Sequence, residues 1–438
     1  MPRLVDGPPP GAYDGVVAHQ ALSQLDYLQQ FHQTVDQRQA GYDPREELYC
    51  PLDDKGVRGT DSRDLMAGDI EFTVGGATLV FGGPRGSGKS SELLRMGRDF
   101  EAQGRVFLYA DAEEYLSRHE PLDDGALLVA IAAGLVDAVQ KRDAKAHVKL
   151  GSRFLDVLNK FKLGDTTVGV DIGPVTLSQV IRPDLADEKS GVRDRIKKLM
   201  TNNRRVFRDA LHAVIAEAVD LLQADPGKPP VFVFDSLDHW RGTASNYAAV
   251  RESIDLVFQE TARELQLPNL NVVYAVPPHV DPGWCPRHFL YNVKVADEAG
   301  AALNDGIRAM REVLERRAPG SDLNRLLDDT ALNIIIGASG GHFRTLMRLM
   351  TLVTLIVRHD RLPASPAHVA DAMGNLRDAL TTSMTAEQRH ILQAVEKDRK
   401  YVSSEDDLYA YDELESSGAI LRYRNGGWWL AVHPLVKS

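Results

Sequence analysis

The sequence predicts an α/β protein built as a three-layer sandwich, a parallel sheet covered by helices on both faces. A helical insertion, a helical unit and a small helix-plus-hairpin unit are expected with it. Three observations predict this. Four short, near-continuous apolar runs (Thr78–Gly82, Val106–Ala110, Val231–Asp235 and Val272–Val276) have the composition of strands buried on both faces. Segments of helical periodicity separate them. A glycine-rich loop, Gly83-Pro84-Arg85-Gly86-Ser87-Gly88-Lys89-Ser90, falls directly between the first strand and the helix expected over Ser91 to Phe100.

The bulk properties narrow the function classes. At 438 residues the chain exceeds what one hydrophobic core serves, so several domains are expected. With 51 Lys and Arg against 62 Asp and Glu, the net charge is −11. A molecule-wide basic field for nucleic acid is therefore excluded, and any such contact must be local. No signal-like or membrane-spanning apolar run is present, so a cytoplasmic location and no membrane partner are expected. Cys50 and Cys285 stand far apart without metal-ligand spacing and read as reduced structural thiols.

Residues 1–70 read as an N-terminal extension, Pro/Gly-rich at first, then helical around Leu25, Leu28 and Phe31. The sheet-forming core is expected over 71–300, with Tyr291–Val295 as a fifth strand. About 120 residues separate the second and third strands, more than one crossover requires, so an insertion is placed at about 125–225. It holds an apolar helix from Ala126 to Val139, a hairpin around Thr167 to Thr176 and a long helix from about Val192 to Gln223. A helical lid is expected over 301–382. Two helices and an Asn425-Gly426-Gly427 turn between Ala419–Tyr423 and Trp428–Val432 give a winged helix over 383–438.

The loop carries the clearest chemistry. Gly83, Gly86 and Gly88 allow backbone conformations that aim successive N–H groups at a phosphate, and the following helix adds its positive end. Arg85, Ser87 and Ser91 complete the loop's lining. Lys89 supplies a point charge for the β- and γ-phosphates, and the Ser90 hydroxyl joins a Mg²⁺ shell, so ATP with Mg²⁺ is the expected cofactor pair. Asp235, ending a buried strand, is the second metal-shell candidate. Asp238, three residues on, suits orienting or deprotonating an attacking water, or else simply caps a helix. Asp111, at the tip of the second strand, competes for either role.

Together these features resemble the additional-strand branch of P-loop ATPases. Asp235-x-x-Asp238 is similar to the STAND signal-transduction ATPases, whereas standard AAA+ enzymes would place Glu where Ser236 stands. Gly337 to Leu349, with Gly341-His342-Phe343-Arg344 at its centre, resembles the lid of initiator-type AAA+ and STAND proteins. That resemblance implies a sensor role for Arg344 toward the γ-phosphate. The segments Gly86 to Leu93 and Val432-His-Pro-Leu435 resemble bacterial ATP-binding proteins of conflict and antiphage systems. The fourth strand leads into Pro277-Pro278, which departs from the usual first sensor. Arg241, Arg311, Arg316 and Arg317 are arginine-finger candidates or solvated charges.

Lys189 to Arg208 concentrates basic residues. Arg193, Lys197, Arg204 and Arg208 share a helix face that suits a nucleic-acid backbone, an acidic protein surface or solvent. The winged helix argues against DNA, because Ser403 to Ser417 carries six carboxylates and no Lys or Arg. It reads instead as a protein-contacting or intramolecular locking module, with Trp428 and Trp429 in its hairpin core. The expected function is an ATP-binding and slowly hydrolysing switch that forms homo-oligomers and regulates a separately encoded protein effector in a defence system. The alternative is a nucleic-acid remodelling or loading ATPase.

Overall fold

Strand formation follows the apolar runs. The computed structural model describes residues 22–36, 48–52, 56–142, 148–161, 163, 177–179, 192–225, 227–243 and 245–437. The hairpin expected around Thr167 to Thr176, Lys189 and the opening Pro/Gly-rich stretch lie outside them. Strands β1 (Thr78–Gly82), β2 (Phe107–Asp111), β3 (Val231–Asp235), β4 (Asn271–Ala275) and β5 (Arg287–Phe289) form one parallel sheet in the order β2-β3-β4-β1-β5. β4 thus separates the strand before the phosphate loop from the strand that ends in Asp235. Both central strands, β3 and β4, are buried at every position.

The fifth strand is not Tyr291–Val295 but Arg287–Phe289, which pairs with Val80–Gly82. The expected segment has the right apolar content for a strand, yet its backbone serves three other partners. Asn292 N–H donates to the Arg422 carbonyl, Val293 N–H to Gly341 and Lys294 N–H to Val57. Val293 and Val295 are packed into the lid core.

Alternation along the strands builds the two outer layers. Val80, Leu108, Phe232, Phe234, Val272 and Tyr274 pack against α4 (Asp124–Arg142), α5 (Val148–Lys160), α6 (Val192–Leu221), α7 (Tyr247–Glu260) and the one-turn α8 (Ala262–Leu265). Leu79, Phe81, Val231, Val233 and Val273 face α2 (Ser62–Phe72) and α3 (Lys89–Ala102). The insertion therefore supplies part of one layer. α4 is buried all round, from Gly125 to Val139. Its Gly134 is required by close approach, since a Cβ there would lie 2.9 Å from the Ala110 Cβ on β2.

A second core joins α1 (Gln24–Val35), from the N-terminal stretch, to α9 (Asn304–Glu315), α10 (Asp329–Ser339), α11 (Phe343–Ile356) and α12 (Pro366–Thr381). The described residues up to Phe72 thus divide between two cores, α1 with the lid and α2 with the sheet. The winged helix comprises α13 (Ala386–Asp398), α14 (Leu408–Ser417) and the antiparallel pair β6 (Ile420–Asn425) and β7 (Gly427–Val432). Trp429 is buried and stacks on Tyr423 at 4.5 Å. Trp428 is not core: it is 45% exposed, with the Arg422 and Lys400 cations over its ring.

Candidate functional site

The strand order and the glycine loop place the expected residues at the carboxyl ends of β1, β2 and β3. Gly86 and Gly88 hold positive φ angles of 86° and 101°, and α3 begins at Lys89, so its first-turn N–H groups open into the loop. The Ser87 hydroxyl is buried and makes no hydrogen bond among the described residues. A phosphate oxygen matches both features, which fits a bound nucleotide.

Lys89 is 5% exposed. Its ammonium donates to the Gly83 carbonyl at 2.8 Å and the Pro84 carbonyl at 3.1 Å, and pairs with Asp238 at 2.9 Å. An ammonium has three donors, so all three are engaged within the protein. A phosphate must exchange for at least one of them. Burial alone would raise the Asp238 carboxyl, but Lys89, with His239 and Arg85, holds it below its ordinary value. Asp238 stays ionised.

Asp235 behaves oppositely. It is 1% exposed, and burial, reinforced by the Asp238 charge, raises its pKa. Tyr109 OH donates to it at 2.7 Å, Ser236 N–H at 2.7 Å, and the Ser90 side chain is also hydrogen-bonded to it. Ser90 and Asp235 therefore stand together as oxygen donors that suit Mg²⁺. Asp111 lies beside Asp235 across the β2–β3 pair, but its carboxylate caps the following turn through Glu113 N–H at 2.9 Å.

Arg344, on the first turn of α11, is also at the loop. Its N–H donates to the Gly86 carbonyl at 3.2 Å, and a Cβ at Gly86 would lie 2.7 Å from the Arg344 Cβ. Among the arginine-finger candidates, Arg311 pairs with Asp329, Arg316 bonds the Tyr49 carbonyl and Glu312, and Arg317 bonds the Leu48 and Val313 carbonyls. Arg241 differs. It lines a narrow crevice of about 50 Å³ with Gly83, Arg85, Asp238, His279 and Asp412.

Several residues at the site carried no sequence signal strong enough to single them out. Arg58, 2% exposed, donates to the Ser87 carbonyl at 3.0 Å and stacks over Phe343 at 5.6 Å. Glu92 accepts from Tyr49 OH at 2.8 Å. With Cys50 and Arg317 these four line a small crevice of about 70 Å³ beside Gly88 and Ser91. His342 was visible only as a neighbour of Arg344; here it is fully buried against the loop.

The basic helix face is largely satisfied internally. Arg193 pairs with Glu120 and also bonds the Pro121 carbonyl, Arg204 pairs with Asp124 and Glu264, and Arg208 pairs with Asp209. Lys197 is exposed. Among the described residues, no helix is long and apolar enough to cross a membrane.

A parallel sheet ordered β2-β3-β4-β1-β5, with a phosphate loop after β1 and an acidic tip on β3, is an additional-strand P-loop NTPase fold carrying a helical lid and a winged helix. No protein-family model and no curated protein matches the chain. Among solved structures it is similar to the Orc1 protein of Aeropyrum pernix in complex with DNA, at 12% identity over 92% of this chain and 93% of that one, with a TM-score of 0.39. It is also similar to a single-site variant of Thermotoga maritima RuvB, at 12% identity over 85% and 91%, with a TM-score of 0.33.

Proposed function

We propose that the chain is an ATP-binding and slowly hydrolysing switch of AAA+ or STAND type, whose conformational state controls a separately encoded protein effector of a conflict system. The observation that carries the nucleotide reading is the arrangement around Lys89. A buried lysine, a hydroxyl and two carboxylates of opposite pKa tendency converge on one glycine loop. Lys89 would neutralise the β- and γ-phosphates. Ser90 and Asp235 would hold Mg²⁺, which supplies Lewis-acid stabilisation of phosphate charge when bound. Asp238, ionised and released from Lys89 by the incoming phosphate, would orient water. Arg344 would report on the γ-phosphate through the lid.

The switch reading is supported by the position of the winged helix. Asp412 on α14 takes both Tyr247 OH and the Arg251 guanidinium, and Glu413 pairs with Arg241 at 3.6 Å. Acidic side chains thus engage core arginines at the crevice beside Gly83 and Asp238. Homo-oligomerisation would follow release of this contact, which frees Arg241. The internal pairing of Arg193, Arg204 and Arg208 takes most of the basic helix face away from the nucleic-acid alternative.

The test is equilibrium binding of a fluorescent ATP analogue, with phosphate release followed in parallel. Lys89→Ala should weaken binding at least a hundredfold and abolish release. Binding equal to the unaltered protein refutes the nucleotide reading.

A further inference from the structure

We propose that His342 is a positioning residue that fixes the phosphate loop from the lid side, holding the Arg85–Gly86 peptide in the orientation that nucleotide binding uses. The inference rests on the nucleotide reading above and adds a residue to it.

The imidazole is 1% exposed and hydrogen-bonded at both nitrogens. Nε2 lies 2.9 Å from the Arg85 carbonyl, and Nδ1 lies 2.9 Å from the Thr345 hydroxyl. A carbonyl oxygen only accepts, so Nε2 carries the proton and Nδ1 accepts from Thr345. The tautomer is therefore set by the loop it holds. Burial pushes the imidazole pKa down to about 4, which keeps this neutral form dominant around neutral pH.

Two residues further on, Arg344 N–H donates to the next loop carbonyl, that of Gly86. Consecutive carbonyls are thus held by the start of one helix. In a trans peptide the C=O and the following N–H point in opposite directions. Holding the Arg85 C=O against the lid aims the Gly86 N–H to the other side of the loop, and Gly86 itself sits at φ 86°. The glycine is enforced from the same direction, because a Cβ there would lie 2.9 Å from His342 Nε2. The far edge of the ring seats the winged helix: a Cβ at Gly418, which ends α14, would lie 2.9 Å from His342 Cε1.

A histidine that merely fills space is replaceable by any side chain of similar volume. A positioning histidine is replaceable only by one that keeps the donor. His342→Phe keeps volume and loses the donor, whereas His342→Gln carries an amide N–H toward Arg85 and an oxygen toward Thr345. Thr345→Val removes the hydroxyl that donates to Nδ1 and is close to isosteric.

Affinity and dissociation rate of a fluorescent ADP analogue would be measured on the full chain, beside Lys89→Ala and a thermal melt of each variant. His342→Phe should weaken binding roughly tenfold, mostly through faster dissociation, the scale of one lost buried hydrogen bond. His342→Gln should stay within about threefold of the unaltered protein, and Thr345→Val should fall between. If His342→Phe fails to fold, Thr345→Val against His342→Gln decides. The inference is overturned if the donor-less variants bind as the unaltered protein does, or if His342→Gln is as weak as His342→Phe. Should Lys89→Ala lose binding while those variants keep it, the nucleotide reading stands and the His342 role falls. An unaltered protein that binds no nucleotide overturns both.

Discussion

The lid and the winged helix both close on the phosphate-loop side of the sheet, but with different chemistry. The lid meets the loop through neutral, buried hydrogen bonds, His342 to the Arg85 carbonyl and Arg344 N–H to the Gly86 carbonyl. Behind them lies an apolar core that includes Leu332, Ile335, Leu346 and Leu349, all fully buried. At the crevice the winged helix meets the core through charges, Asp412 with Arg251 and Glu413 with Arg241, the second pair about one-third exposed, and away from it through the neutral contact of Asn292 with the Arg422 carbonyl. Apolar burial is not weakened by charge screening, whereas partly exposed ion pairs are screened by salt. The two seams should therefore answer differently to salt.

The lid seam is broken most severely from within its core. Leu332→Ala removes a fully buried side chain from α10 and should cost about 2–5 kcal/mol of stability, through lost burial and the cavity left behind. A urea titration reads it as a lowered midpoint. A loss below about 1 kcal/mol would mean that the lid is not held by its apolar core, and the contrast between the seams would collapse.

What the sequence shows of this contrast depends on how local each feature is. The strands and the loop were legible because a doubly covered strand must be apolar throughout, and because a phosphate cradle must use contiguous residues. Asp235 was legible as the end of such a strand. Tyr291–Val295 has the same apolar content, yet its hydrogen bonds go to three separate segments that no local pattern announces. The basic helix misled for a related reason. The carboxylates that pair Arg193 and Arg204 come from Glu120, Asp124 and Glu264, outside the window in which charge is counted. Arg58 reaching Ser87, and Asp412 reaching Arg251, are likewise products of tertiary placement.

Protonation sharpens the comparison at intermediate size. His342 and His433 are both buried where lid and winged helix meet, and burial lowers their pKa values from 6.5 to about 4 and about 3. The unfolded chain therefore takes up protons as pH falls through 6.5 while the folded one does not. Stability is fully present above pH 6.5 and is lost as pH falls toward the folded values, by up to about 1.4 kcal/mol per pH unit for each histidine. Urea midpoints between pH 8 and 5 should show this slope. Replacing both residues by Gln should reduce it, leaving the part contributed by His279 and His212, whose pKa values burial also lowers, and an unchanged slope would place the titrating groups elsewhere.

The smallest effect is the one that tests release. Asp412→Asn keeps the shape of α14 but removes the charge that holds Arg251, so docking should weaken by about 1 kcal/mol, a factor of roughly five. Global stability should hardly move, because the winged helix keeps its own core around Ile391, Leu414 and Leu430. The sensitive readout is cleavage in the Thr382–Thr385 connection between α12 and α13, which a trailing winged helix exposes. Cleavage of the unaltered protein should quicken when NaCl rises from about 50 to about 500 mM, over which the Debye length shortens severalfold. Asp412→Asn should already be fast at low salt and respond less. If both proteins are cut at one salt-independent rate, the acidic helix does not hold the winged helix by charge, and the releasable seam must be sought at the neutral contacts of Tyr423 and Arg422 with the lid and the Asn292 segment.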